Sequence, residues 1–198
     1  MDYKMMVQYL ECSKYIDFNE SGVQRLLESL ELSGLEDEHI AKKCFEWVRD
    51  NVRHSSDYEM NPVTCKASDV LRYRTGYCFA KSHLLVALLR ASKIPAGLCY
   101  QRLSLKGDGA PFCLHGLVAV YLKKYGWYRI DPRGNKIGID AQFNAPIEQL
   151  AFTLSLKEEA DLPEIWPEPH PLVVQVLETY NTYDAVYDNL PDIELISL

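Results

Sequence analysis

The sequence predicts an α+β fold: helices first, an antiparallel sheet after them, and a helical tail. Three observations carry it. Apolar residues recur at helical spacing through roughly the first 55 positions and again over 78–92. The strongest such segment, 78–92, is apolar around most of its circumference, as a central helix buried on several sides is. After Pro95 the period drops to two, and residues 96–105, 115–122 and 126–131 read as strands.

At 198 residues, 47% hydrophobic and 25% charged, the chain is long enough for one domain with a substantial core. A single domain over 1–198 is expected, with a helical lead-in (1–36), a core (37–135) and a C-terminal extension (158–198) packed on that core. The elements follow in order. Asn19 is placed to cap a helix through Val23, Leu26, Leu27 and Leu30, closed by Gly34. Glu36-Asp37-Glu38 open a second helix, their charges suited to its positive end, with the stripe Ile40, Cys44, Trp47, Val48 and Val52. That stripe makes Cys44 a core thiol. Residues 53–66 read as a loop, 67–73 as a short helical turn, and Arg74-Thr75-Gly76-Tyr77 as a tight turn into the central helix.

Lys123-Lys124-Tyr125 join the last two strands, and a three-residue loop sets Leu122 opposite Gly126 and Leu117 opposite Asp131. His115 then shares a sheet face with Asp131, one diagonal step away. From Asp161, Pro163, Pro167, Pro169 and Pro171 read as an extended strap. One amphipathic helix follows, carrying Val173, Val176, Leu177, Tyr180 and Tyr187 on one stripe. The tail is expected against the back of the sheet rather than across a cleft.

Charge excludes some functions. The net charge is −7, but residues 158–198 hold ten Asp/Glu and no Lys or Arg, leaving 21 basic and 18 acidic groups elsewhere. That body is too weakly basic for a nucleic-acid partner, and the acidic tail would oppose a phosphate backbone. No apolar run suits a membrane span, and Met1–Leu10 lacks a signal peptide's apolar stretch, so a cytoplasmic protein is expected. The six cysteines show no C-x-x-C pair and no paired histidine spacing, so neither a metal, another cofactor nor a disulfide is expected.

Cys78 differs from the other thiols by position. It follows a glycine turn and opens the buried helix, where unpaired N–H groups and the dipole favour thiolate over thiol. A cysteine nucleophile needs a base, and His115 at a strand start, followed by small Gly116, is the candidate. The base needs an orienting group, which Asp131, held by Pro132, supplies. His83 points about 140° away around the helix. His39 sits in an exposed first turn, His54 and His170 lie in loops, and Cys113 shares strand parity with His115.

These residues resemble the transglutaminase-like superfamily. Gly76-Tyr77-Cys78-Phe79-Ala80 and Leu88 to Ala96 look like its nucleophile helix, and His115 with Trp127-Tyr128-Arg129-Ile130-Asp131-Pro132 like its His and W-x-x-x-D-P elements. The lead-in segments 45–52 and 67–71 are similar too, and the whole spans about 37–135. One departure is Gly116-Leu117-Val118, where the family often carries an aromatic residue. The resemblance implies a papain-like α+β fold and a Cys78-His115-Asp131 triad performing acyl transfer at an amide or peptide bond through a thioester. Hydrolysis is favoured over transamidation, the expected partner is a peptide or protein amide, and Tyr77 and Trp127 are candidate substrate contacts. An oxyanion would be held partly by the Cys78 N–H, with Tyr58, Asn61 and Tyr77 as candidates for a second donor. Two other readings are a catalytically silent partner-binding module and an arylamine N-acetyltransferase, whose nucleophile motif Arg74–Phe79 resembles.

Overall fold

The computed structural model describes residues 6–193. Helix α1 (Ser21–Ser29) starts after Glu20, which has extended geometry and whose carbonyl accepts from Val23 and Gln24. The cap is therefore one residue later than Asn19. The helix stops at Ser29, before Glu31 turns to a positive φ and well short of Gly34. Helix α2 (Asp37–Asn51) carries Asp37 and Glu38 in its first turn. Its buried face is Ala41, Cys44, Phe45 and Val48, rotated from the expected stripe. Trp47 is only half-buried, its ring covered by the Arg74 guanidinium at 4.5 Å.

The segment 53–66 is not all loop, and 74–77 is not simply a turn. Arg74 ends helix α3 (Ala67–Tyr73) in the left-handed region. Strand β1 (Arg53–His54) then pairs in parallel with β2 (Thr75–Gly76), a long-range ladder without local periodicity to announce it. Helix α4 (Cys78–Ala91) follows directly and is buried from Cys78 to Arg90. Burial of its two cationic side chains, Lys81 and Arg90, is met by backbone acceptors, as buried donors require. Lys81 Nζ donates to the carbonyls of Val52 and Arg49 at the end of α2. Arg90 donates to those of Glu11, Ala96 and Pro167, and His83 Nδ1 lies 2.7 Å from the Cys65 carbonyl.

The main sheet runs β5-β4-β3-β8, built from β3 (Ala96–Ser104), β4 (Phe112–Leu122), β5 (Gly126–Ile130) and β8 (Ala160–Asp161). All neighbours are antiparallel. The register pairs Leu122 with Gly126 and Val118 with Ile130, as the loop length requires. Strand β4 begins at Phe112, three residues earlier than its periodicity indicated, because Phe112–Leu114 pair with β3. One face, with Leu98, Tyr100, Leu114, Val118, Val120 and Ile130, belongs to the main core with α4. The other carries a smaller cluster of Cys99, Leu117 and Ala119 under Trp127, Leu150 and Ile165. A separate hairpin pairs β6 (Gln142–Asn144) with β7 (Ile147–Gln149).

Beyond β8 the proline-rich strap follows the β3 edge, with Leu98 and Trp166 exchanging main-chain hydrogen bonds of 2.8 Å. The expected single terminal helix is two, α5 (Pro171–Thr179) and α6 (Tyr183–Tyr187), because Tyr180 is extended. The tail helices do not lie behind the sheet: Val173, Leu177 and Val186 belong to the main core with α4. The Leu114 N–H donates to the Pro191 carbonyl at 2.7 Å, and Arg102 forms a bidentate pair with Asp192.

Candidate active site

Cys78 is the first residue of α4, with Tyr77 as the extended residue before it. Two glycines let main chain pack closely around the start of α4. A side chain at Gly76 would meet Ala80 Cβ at 3.1 Å and Thr64 Oγ1 at 3.2 Å. One at Gly116 would meet Phe79 Cδ1 at 2.8 Å and Cα at 3.1 Å, so the helix start rests directly on β4. The Gly116 N–H reaches Cys78 Sγ at 3.4 Å.

His115 Nε2 and Asp131 Oδ2 are 2.7 Å apart and nearly inaccessible to solvent. The remaining ring nitrogen, Nδ1, is the one free to serve Cys78. The carboxylate also accepts from the Arg133 N–H at 3.0 Å on Oδ1 and the Ala151 N–H at 3.1 Å on Oδ2. Phe152 packs edge-on to the imidazole, 4.9 Å between centroids. Burial alone would lower the His115 pKa, but the Asp131 charge, the Cys78 charge and hydrogen bonds to both raise it above the usual histidine range. Burial would raise Asp131, but His115 and the two backbone donors hold it below the usual carboxylate range. The geometry thus favours an imidazolium–carboxylate pair beside the Cys78 sulfur.

Cys78 and His115 open into a cleft of about 580 Å³. One wall is apolar, from Leu103, Cys113, Leu114, Tyr187 and Leu190, the last two from the tail. The tail therefore reaches the cleft, contrary to its expected place behind the sheet. The other wall is polar. Arg133 binds Asp57 bidentately at 2.7 and 3.0 Å, and Lys136 Nζ lies 2.6 Å from the same carboxylate. His54 lines this wall, almost buried, with its ring edge-on to Tyr77 at 5.4 Å.

The structure brings Cys78, His115, Asp131 and Tyr77 to one place. Tyr77 lines the cleft, but its hydroxyl donates to the Tyr183 carbonyl. Trp127 lies elsewhere. It sits four residues, about 13 Å, along β5 from Asp131, and packs against Tyr9 and Tyr121 at 4.9 and 5.6 Å. Its place in the family element reflects packing on the outer sheet face. Tyr58 and Asn61 do not line the cleft: Tyr58 is exposed under the Arg53 guanidinium, and Asn61 Oδ1 accepts from the Tyr183 N–H. Cys113 does line it, but burial pushes its thiol up to about 12. His54, Asp57, Arg133 and Phe152 also line the cleft, and of these only Arg133, directly after Asp131-Pro132, carries a local sequence signal.

A cysteine, an oriented histidine and an open cleft can perform acyl transfer. No helix among the described residues is long and apolar enough to cross a membrane. The family described as the transglutaminase-like superfamily matches residues 24–132. No curated protein matches the chain. Among solved structures, the chain is similar to a proposed cysteine protease from Cytophaga hutchinsonii, at 23% identity and a TM-score of 0.48, covering 67% of this chain and 43% of that one. It is also similar to the periplasmic domain of TgpA from Pseudomonas aeruginosa, at 18% identity and a TM-score of 0.48, covering 67% and 48%. The same domain bound to ethylmercury gives 17%, 0.48, 67% and 49%. The chain spans less than half the length of each of these structures.

Proposed function

The chain belongs to the transglutaminase-like superfamily, and from that premise we propose that it is a thiol-dependent enzyme hydrolysing an amide or peptide bond through a thioester on Cys78. The observation that carries this reading is the convergence of a helix-initial cysteine with a buried histidine–carboxylate pair at one cleft. The Cys78 sulfur, its proton passed to His115 Nδ1, attacks the amide carbon as thiolate, forming the S–C bond, and the charge passes to the carbonyl oxygen. His115, charged beside Asp131, gives its Nδ1 proton to the departing nitrogen as the C–N bond breaks. Water then attacks the thioester, His115 takes its proton, and the S–C bond breaks to release the acid. A primary amine in place of water would give transamidation by the same path.

The test is mass mapping of iodoacetamide labelling followed by profiling against a peptide amide library. Burial pushes the Cys44, Cys65, Cys99 and Cys113 thiols up to about 12, which makes them slow nucleophiles. Cys78 should react fastest, ahead of exposed Cys12. Adding a primary amine should divert only a minor share of product. A Cys78 that labels no faster than Cys12, with no amide turned over, would overturn the reading.

A further inference from the structure

The proposed chemistry needs a second donor for the oxyanion beside the Cys78 N–H, and Tyr58, Asn61 and the Tyr77 hydroxyl are engaged elsewhere. We propose that His54 supplies it, through Nε2–H, to the carbonyl oxygen of a substrate held at Cys78; this rests on the hydrolase reading above.

Placement comes first. The β1–β2 ladder sets His54 opposite Gly76, and the Ser55 N–H donates to the Gly76 carbonyl at 3.1 Å. That puts the His54 backbone beside the chain two residues before the nucleophile. The ring lies edge-on to Tyr77 and lines the cleft that holds Cys78 and His115.

The tautomer follows from the surroundings of the ring. Nδ1 is buried with no hydrogen-bond partner. The Asp57 Oδ2 atom is 3.9 Å from it, beyond hydrogen-bond range, and the Asp57 oxygens already accept from Arg133 and Lys136. A proton on Nδ1 would be a buried donor without an acceptor, the arrangement that folded proteins tolerate least. The proton therefore belongs on Nε2, the nitrogen left for the cleft.

Charge state separates the two histidines. Burial first, then the Arg133 charge, hold His54 well below the usual histidine range, so it stays neutral. Asp131 and Cys78 hold His115 charged. Two like groups pushed apart by their environments are suited to two roles. His115 moves a proton, while His54 donates a hydrogen bond without giving one up.

The experiment compares wild type, His54→Phe and His54→Gln on a p-nitrophenyl ester and a p-nitroanilide carrying the same acyl group. Both substrates develop an oxyanion. His54→Phe keeps the ring against Tyr77 and should lower kcat about 100- to 1,000-fold on both, with KM little changed. Its Tm and rate of Cys78 alkylation should stay near wild type. His54→Gln, whose amide N–H can reach the same place, should recover about tenfold or more over His54→Phe. A kcat for His54→Phe within about threefold of wild type overturns this inference alone, as does a loss of Cys78 alkylation matching the loss of rate. Wild type that turns over neither probe overturns the hydrolase reading and this inference with it. Nitrogen-15 NMR of the histidine rings in the wild-type protein needs neither variant nor turnover. An Nε2–H tautomer at His54 is expected, and an Nδ1–H tautomer overturns the proposal.

Discussion

The backbone N–H of Gly116 lies 3.4 Å from the sulfur of Cys78, so β4 meets the start of α4 with no side chain between them. A Cβ at 116 would come within 2.8 Å of Phe79 Cδ1 and 3.3 Å of its backbone N. That backbone is the first turn of α4 and cannot yield cheaply. Gly116→Ala should cost about 1–3 kcal/mol by overpacking. It should lower the rate about 100-fold or more by displacing Cys78 from His115. Urea unfolding and steady-state kinetics measure both. An active, equally stable variant would mean that the close approach is dispensable.

Asp131→Asn should lower kcat by about 10⁴, by analogy with other triads. It also sets an amide NH₂ against a backbone N–H, from Arg133 or Ala151, that the carboxylate now satisfies, at about 1–3 kcal/mol.

The pair also sets a pH window for stability. The lowered Asp131 contributes above the ordinary carboxylate pKa of about 3.9, and its share is lost as pH falls through its folded value. The raised His115 contributes below the ordinary value of about 6.5, and its share is lost as pH rises through its folded value. The stability difference between wild type and Asp131→Asn should thus be largest between about pH 3.9 and about pH 6.5 and shrink as pH moves from there toward either folded value. A difference flat with pH would show that the charges do not interact in this way.

Cys44 and Cys78 should part cleanly. Cys44 is fully buried on α2. Cys44→Ser should destabilise by about 1–3 kcal/mol through an unsatisfied hydroxyl, while the folded fraction keeps its rate. Cys78→Ala should abolish turnover with little loss of stability. Thermal denaturation and activity per folded molecule separate them, and a folded, inactive Cys44→Ser protein would mean that the wrong nucleophile has been chosen.

The tail should show two roles under two truncations. Removing 160–198 strips β8 and Trp166 from the β3 edge and the Pro167 carbonyl from buried Arg90, so the protein should unfold or aggregate. Removing 183–198 takes away Tyr187 and Leu190 from the cleft wall, along with buried Val186. That protein should fold with a lower Tm and favour larger substrates. An unchanged ratio of kcat/KM for bulky and small peptides would leave the tail structural only.

What the sequence determined is local. The period of two after Pro95 and the three-residue loop at Lys123-Lys124-Tyr125 already set the β4–β5 register. Pairing Leu122 with Gly126 forces His115 and Asp131 to one face, because side chains alternate strictly along a strand. Helix α4 was legible for the same reason, its apolar residues and its glycine-led start being near neighbours in the chain. Tertiary structure decided the rest. His54 reaches the cleft only because β1 pairs with β2 across more than twenty residues. Asp57 and Arg133 meet from positions 76 apart. Tyr187 and Leu190 return to the cleft through packing that leaves no periodic mark. Periodicity records which side of an element is buried; what it is buried against depends on contacts between distant segments, which only the folded chain brings together.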